Sequence, residues 1–242
     1  MVLEYDILKN IGEGGRYFYP NSLYFAPLSN VTEIDISDNN DCLRYLFDMA
    51  CYMLKLQKIN LSKNNENYSD IDGVLYDKDG KTLIKYPMGL GNLYEIPDGV
   101  ETIKNNAFLN CALTSVKIQK NVLKIEEDAF WGCLNLSRII VDKDNEYYSD
   151  INGILFDKNK EILKKCPIGF EGSYIIPEKT QIIEKKAFCN CITLTMIKIP
   201  ESVTFIGDNV FDYCLPNLKI IVSENNKYYS SDEYGHLYYK DK

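Results

Sequence analysis

The feature that most constrains this chain is a short pattern that returns at almost fixed spacing. Ile96-Pro97, Val100, Ala107-Phe108 and Cys111 open the series, and Val122, Ala129-Phe130 and Cys133 follow at a uniform step of 22. A third copy holds Ile176-Pro177, Thr180, Ala187-Phe188 and Cys191. A fourth holds Ile199-Pro200, Val203, Val210-Phe211 and Cys214, displaced from the third by a uniform step of 23. A self-similar period of roughly 20–29 residues marks a stack of coils, each burying its apolar face only against its neighbours. The repeat therefore decides the architecture before any propensity is consulted.

A longer period lies above the short one. Asn67-Tyr68-Ser69-Asp70-Ile71-Asp72-Gly73-Val74-Leu75-Tyr76-Asp77-Lys78 returns, at a step of 80, as Tyr147-Tyr148-Ser149-Asp150-Ile151-Asn152-Gly153-Ile154-Leu155-Phe156-Asp157-Lys158. It begins again at Tyr229-Ser230 and Gly235-His236-Leu237-Tyr238. One strand end per coil falls at Ile36, Leu61, Ile96, Ile118, Val141, Ile176, Ile199 and Val222, in steps of 25, 35, 22, 23, 35, 23 and 23. Each long step carries an Asp-Gly or Asn-Gly hairpin inserted into an ordinary coil. About eight coils at roughly 4.8 Å spacing predict one continuous sheet about 38 Å long.

Residues 1–27 show no repeat and are expected to cap the stack. The solenoid then runs over 28–242: a first coil at 28–62, long repeats at 63–142 and 143–223, and an incomplete third at 224–242. In the first coil, strand Val31–Ile36 precedes an expected α-helix of about 14 residues with Asp41 as N-cap. Its buried stripe is Leu43, Leu46, Phe47, Ala50, Cys51 and Leu54. Within a coil, alternation turns Leu113, Val116 and Ile118 inward and Thr114, Ser115 and Lys117 outward. Val-x-x-Ile forms a second buried segment. Ala-Phe is expected to be a turn of helix or 3₁₀-helix.

The full pattern, Ile-Pro-x-x-Val-x-x-Ile-x-x-x-Ala-Phe-x-x-Cys-x-x-Leu-x-x-Ile-x-Ile, resembles the BspA-like class of bacterial leucine-rich repeats over roughly 56–239. The segment before 56 departs from it, its helix being closer to an ordinary leucine-rich repeat. The fold class expected is thus a β-rich α/β repeat solenoid: a right-handed leucine-rich-repeat superhelix with inserted hairpins and one N-terminal helix. The resemblance implies protein binding, often in adhesion at the cell surface, and carries no shared catalytic residues.

Charge and chemistry narrow the function further. A net charge of −8 opposes a nucleic-acid surface. No apolar run approaches the roughly 18 residues that a spanning helix needs, so membrane insertion is not expected. The first residues show no signal peptide, which leaves a cytoplasmic site open against the surface location that the resemblance implies. The eight cysteines are expected to be free thiols. Cys111, Cys133, Cys191 and Cys214 share one repeat position and form a ladder beside Phe108, Phe130, Phe188 and Phe211, where Cys acts as a small hydrophobe. Cys189-Asn190-Cys191 lacks a second pair at zinc spacing. His236 is the only histidine, Asp77-Lys78-Asp79-Gly80 lacks the closing Glu of a calcium loop, and Gly12-Glu13-Gly14-Gly15 opens no helix. Acidic stretches such as 142–146 are read as solvated turns. No cofactor, metal site or acid/base pair emerges, so an enzyme is not expected.

The expected function is non-enzymatic protein–protein binding, in adhesion or partner binding, through the concave strand face and hairpin edge. Glu95, Lys117, Arg138, Ile140, Ile175, Met196, Lys198 and Ile221 form the candidate surface. Two alternatives remain: a structural unit of a longer surface protein, or an intracellular partner-binding protein such as an immunity factor or complex subunit. The third long repeat reaches Tyr238 without its returning strand, so the expectation is either that the natural chain continues with further coils or that this C-terminal edge pairs with another chain, as in self-association.

Overall fold

A computed structural model describes residues 2–4, 28–36 and 52–240. Of the helix expected from Asp41, and of the 1–27 segment, the residues at 5–27 and 37–51 lie outside that description. Met53 and Leu54, at the end of the expected helix, are in loop and turn.

The strands follow the coil period. A first group is β1 (Val2–Glu4), β2 (Glu33–Ile36) and β3 (Lys58–Leu61), then a hairpin of β4 (Tyr68–Ile71) and β5 (Val74–Asp77) with its returning strand β6 (Thr82–Lys85). Next come β7 (Leu93–Glu95), β8 (Thr102–Ile103), β9 (Ser115–Ile118), β10 (Lys124–Ile125) and β11 (Arg138–Val141). The second hairpin is β12 (Tyr148–Ile151) and β13 (Ile154–Asp157), with returning strand β14 (Ile162–Lys165). Then follow β15 (Gly172–Ile175), β16 (Ile182–Ile183), β17 (Leu194–Ile199), β18 (Phe205–Ile206) and β19 (Lys219–Val222). A third hairpin, β20 (Tyr229–Ser231) and β21 (Leu237–Tyr239), closes the series. Two units share these elements: Met1–Asn92 with Pro97–Ala112 and Asn121–Cys133, and Leu93–Ile96 with Leu113–Lys120 and Leu134–Lys242.

The chain is a β-solenoid of the leucine-rich-repeat kind, but its coil strands do not form the single sheet expected. They form three three-stranded parallel sheets, β1-β2-β3, β7-β9-β11 and β15-β17-β19. The physical reason is the hairpin. Each third strand would offer its outward amides to a next strand, and the hairpin turn takes them instead. Ile59 N–H donates to Gly73 O at 2.9 Å, Ile139 to Gly153 O at 2.8 Å and Ile220 to Gly235 O at 3.3 Å. Two residues on, a side chain takes the next amide: Leu61 N–H donates to Asp70 Oδ1, Val141 to Asp150 Oδ1 and Val222 to Ser231 Oγ, at 2.9, 2.9 and 3.0 Å. A turn carbonyl and one side-chain oxygen thus finish each sheet.

That approach demands glycine. Gly73, Gly153 and Gly235 have φ of +82°, +82° and +93°. A Cβ on Gly153 would stand 3.0 Å from the Arg138 Cα, and one on Gly235 would stand 2.9 Å from the Ile220 amide nitrogen.

The first two hairpins belong to a second kind of sheet that the repeat pattern does not announce. The orders are β10-β8-β6-β5-β4 and β12-β13-β14-β16-β18, so the Val-x-x-Ile segments extend these two hairpins as two-residue parallel strands, while β20-β21 is two-stranded among the described residues. The Ala-Phe segments form neither helix nor 3₁₀-helix. They are paired turns with left-handed residues at Asn106, Asn110, Lys186, Asn190, Asn209 and Tyr213. These turns make their own ladder, with Phe108 N–H on Ala129 O at 2.9 Å and Phe188 N–H on Val210 O at 3.1 Å.

The stretch read as a solvated turn contains a buried amide. Asn145 is 0% exposed, as is Asn65, and Asn226 is 1% exposed. Asn145 Oδ1 accepts from the Tyr147 and Tyr148 amides at 2.8 and 2.7 Å, and its Nδ2 donates to Gln119 O at 2.9 Å. Asn226 repeats this, its Nδ2 donating to the Pro200 and Val203 carbonyls at 2.8 and 2.9 Å. The Lys78, Lys158 and Lys240 ammonium groups then donate to the carbonyls of Asn65, Asn145 and Asn226. Each hairpin is thereby pinned to the coil before it.

Two substitutions test this scheme. Asn145→Leu should lower unfolding free energy by about 1–3 kcal/mol, because it strands buried backbone partners. Gly153→Ala should cost about 1–3 kcal/mol through its left-handed backbone and the approach to Arg138. Urea titration reads both; an unchanged midpoint in either variant contradicts the assignment.

Candidate functional site

Strand alternation and parallel register build the candidate surface. In the sheet of β7, β9 and β11, one outward row is Glu95, Lys117 and Ile140, and the next is Leu93, Ser115 and Arg138. In the sheet of β15, β17 and β19, the rows are Ile175, Lys198 and Ile221, and Ser173, Met196 and Lys219. The structure thus brings the eight candidate residues together in two groups of four, all in the second unit. Every one of them reaches the surface at least in part.

The two faces differ chemically. On the first, Lys117 Nζ and Gln119 Nε2 both donate to Glu95 Oε1 at 2.6 Å, and this holds the Glu95 carboxyl below the ordinary carboxylate range. On the second, Ile175 is 62% exposed, Met196 and Ile221 are half-buried, and Lys198 and Lys219 stand beside them. Neither lysine, nor Arg138, forms an ion pair among the described residues.

Between the two sheets, at the starts of their strands, lies a cleft of about 650 Å³. Leu134, Asn135, Arg138, Asn152, Phe170 and Glu171 are among its walls. The Asn152-Gly153 turn that ends the first sheet separates it from the second, and the cleft follows from that separation. Sequence reasoning missed the cleft, and it missed Leu93, which is 73% exposed at a position where most other coils carry polar residues. Alternation within Leu93–Glu95 was the available signal.

The structural ladder divides by unit. In the first, Phe108 and Phe130 are 0% and 4% exposed and stack at 5.2 Å, with Tyr86 at 5.5 Å from Phe108. In the second, Phe188 is fully buried and stacks on half-buried Phe211 at 5.8 Å. The ladder thiols point to backbone. Cys133 Sγ donates to Phe108 O at 2.8 Å, Cys111 to Tyr86 O at 3.5 Å and Cys214 to Phe188 O at 3.1 Å. None of the six described cysteines is in a disulfide; Cys42 and Cys51 lie outside the description. Burial raises the Cys111 and Cys166 thiols well above the ordinary range and pushes Cys214 up to about 12.

Among the described residues no group of side chains could hold a metal ion, and no helix is long and apolar enough to cross a membrane. The Asp77 turn read against a calcium loop is occupied by backbone, its Oδ1 accepting from Lys81 and Thr82 amides at 2.8 and 2.9 Å. His236 Nδ1 lies 2.8 Å from Asp232 Oδ2, with the Tyr238 hydroxyl donating to the same oxygen at 2.9 Å.

Comparison with known proteins finds the BspA type leucine-rich repeat region at residues 92–164 and 159–236, in six copies. No curated protein matches the chain. Among solved structures, the chain is similar to a leucine-rich repeat protein from Eubacterium ventriosum, at 22% identity and TM-score 0.56, over 85% of this chain and 59% of that one. It is also similar to a leucine rich cell surface protein from Faecalibacterium prausnitzii, at 20% identity and TM-score 0.50, over 80% and 60% of the two chains. At such identity both likenesses show the fold alone, and this chain spans about three fifths of either relative's length.

Two measurements follow from the ladder. Phe108→Ala and Phe188→Ala should each cost about 3–5 kcal/mol by opening a cavity in a close-packed column; a loss under about 1 kcal/mol at both would refute the inward assignment. Thiol titration without reductant should count eight free cysteines once the protein is denatured. Six or fewer would restore a disulfide.

Proposed function

The chain belongs to the BspA-type leucine-rich-repeat family, and from that premise we propose that it is a non-enzymatic module that binds another protein through the outward faces of β7-β9-β11 and β15-β17-β19. The observation that carries this reading is Ile175. A branched aliphatic side chain left 62% exposed at the end of β15, with Ile140 at 41%, is surface that a partner can dehydrate. Around these isoleucines stand Arg138, Lys198 and Lys219, without ion pairs, on a chain whose net charge is −8. A basic and apolar patch on an acidic protein suits a partner surface with apolar centre and acidic rim. The cleft beside Arg138 supplies the concavity that such anchors need. Adhesion at a cell surface is the setting we assign, in line with the cell surface relative from Faecalibacterium prausnitzii.

The test uses tagged protein presented to host cells and to bacterial surfaces, with bound protein quantified. Ile175→Asp and Arg138→Glu should each abolish retention while the melting temperature stays within a degree or so, since both side chains project into solvent. Lys120→Glu, an exposed charge reversal off these faces, should keep full binding. Retention that survives both face variants would sink the reading.

A further inference from the structure

The two outward faces use the same strand positions for different chemistry. Glu95 and Ile175 each precede a strand-end isoleucine, Ile96 and Ile176. Lys117 and Lys198 likewise precede Ile118 and Ile199, and Gln119 and Pro200 follow them. On β7-β9-β11, Lys117 Nζ and Gln119 Nε2 both donate to Glu95 Oε1 at 2.6 Å, so the polar groups of that row close on one another. On β15-β17-β19 the lysine is kept and the other two members are exchanged for apolar side chains. Parallel register sets Lys198 between Ile175 and Ile221. Its ammonium forms no ion pair among the described residues, because its row no longer contains a carboxylate.

The exchange leaves a hollow of about 200 Å³ at the C-terminal ends of these three strands. Within its lining Ile176 and Ile199 are buried, Ile175 and Ile221 reach the surface, and Lys198 and Glu178 are exposed charges. An aliphatic cavity of about 150 Å³ holds a benzene ring, so this hollow admits one aromatic ring and not two. A ring seated between the isoleucines lies against Lys198. The lysine stem packs on it, and the charge favours a π-face over an aliphatic group of the same size.

We propose that this hollow anchors a single aromatic side chain of the protein partner, with an adjacent carboxylate of that partner taking the place at Lys198 that Glu95 holds at Lys117. This rests on the partner-binding reading of the face and narrows it to a recognition element, an exposed acidic segment carrying one aromatic residue. Glu178, of like charge, directs the incoming carboxylate to the Lys198 side. A desolvated aromatic anchor at the centre of a contact is where protein interfaces concentrate their binding energy.

Fluorescence anisotropy with a labelled peptide, Gly-Asp-Glu-Phe-Glu-Asp-Gly, tests this on the 242-residue chain. Saturable binding is expected. Replacing the peptide's Phe by Ala should weaken it at least about tenfold, the loss expected for burial of one ring. Replacing its acids by Asn and Gln should weaken it severalfold. Ile175→Glu restores the residue that β7 carries; it should pair with Lys198 and abolish peptide binding at an unchanged melting temperature. Lys198→Gln should keep the preference for Phe and bind the acidic and amidated peptides alike. Arg138→Glu, on the other face, should leave peptide binding unchanged while abolishing cell retention. A peptide that fails to bind while the face variants still lose retention overturns the anchor and spares the broader reading; retention that survives the face variants overturns both. Equal affinity for the Phe and Ala peptides, or undiminished binding by Ile175→Glu, also overturns the anchor. So does tighter binding of N-acetylphenylalanine, which carries ring and carboxylate without a peptide segment.

Discussion

A parallel strand has main-chain donors and acceptors on both edges, and a neighbour must satisfy each row. Within a run of short coils the next coil does so. At each long repeat the hairpin turn arrives instead, and a carbonyl and a side-chain oxygen take the amides of Ile59 and Leu61, Ile139 and Val141, Ile220 and Val222. Much of the rest depends on that exchange. The glycine at the turn is forced because its Cα must lie against the strand, and the buried asparagine is forced because the descending chain must be held in that position. The Val-x-x-Ile segments become strands because the hairpin offers them an edge, which an ordinary coil of this kind lacks.

This also decides what the sequence could reveal. Strand positions were legible because inward residues alternate within a fixed period; β9 ends at Ile118 and β17 at Ile199, where the pattern puts them. The continuous sheet was not legible, because counting coils assumes that every strand pairs with the next. Nothing local to Lys58–Leu61 says that its outer edge belongs to Gly73. The Ala-Phe turns were misread for a related reason: apolar neighbours in a short segment fit a helical turn as well as a left-handed one. The recurring asparagines at 106, 110, 190 and 209, tolerant of positive φ, were the distinguishing clue. Asn145 was misread because burial of an amide depends on acceptors in another coil, such as Gln119 O, which no window around residue 145 contains.

The candidate surface was legible in its members and not in its form. Alternation placed Ile140 and Ile175 outward, and their exposure agrees. The division into two faces, and the cleft beside Arg138, come from the inserted turn and so from tertiary pairing. The charge relation was hidden for a different reason: Lys117 finds Glu95 only because parallel register sets them side by side, whereas Lys198 finds isoleucines at the same two places. One outward column is thus neutralised and its counterpart left basic by register alone.

Internal repetition gives a control that a single globular domain lacks. Positions the stack requires return nearly unchanged: the turn glycines, the pinning asparagines, and the ladder thiols that donate to the preceding coil's carbonyl, a bond valine of similar volume could not make. Positions that differ from sheet to sheet are free of that demand. Asn60 Nδ2 donates to Asp35 Oδ1 at 2.8 Å on the first face, an ion pair occupies the second, and exposed isoleucine with unpaired lysine occupies the third. Stacking does not require the third composition: the described outward residues of β2 and β3 are polar, and the β7-β9-β11 face shares it only in part, through Leu93, Ile140 and Arg138. Exposed aliphatic surface beside unpaired cations gains nothing for the solenoid in water. That surplus of exposed apolar surface is what motivates the proposal that a partner covers the β15-β17-β19 face together with its neighbour β7-β9-β11.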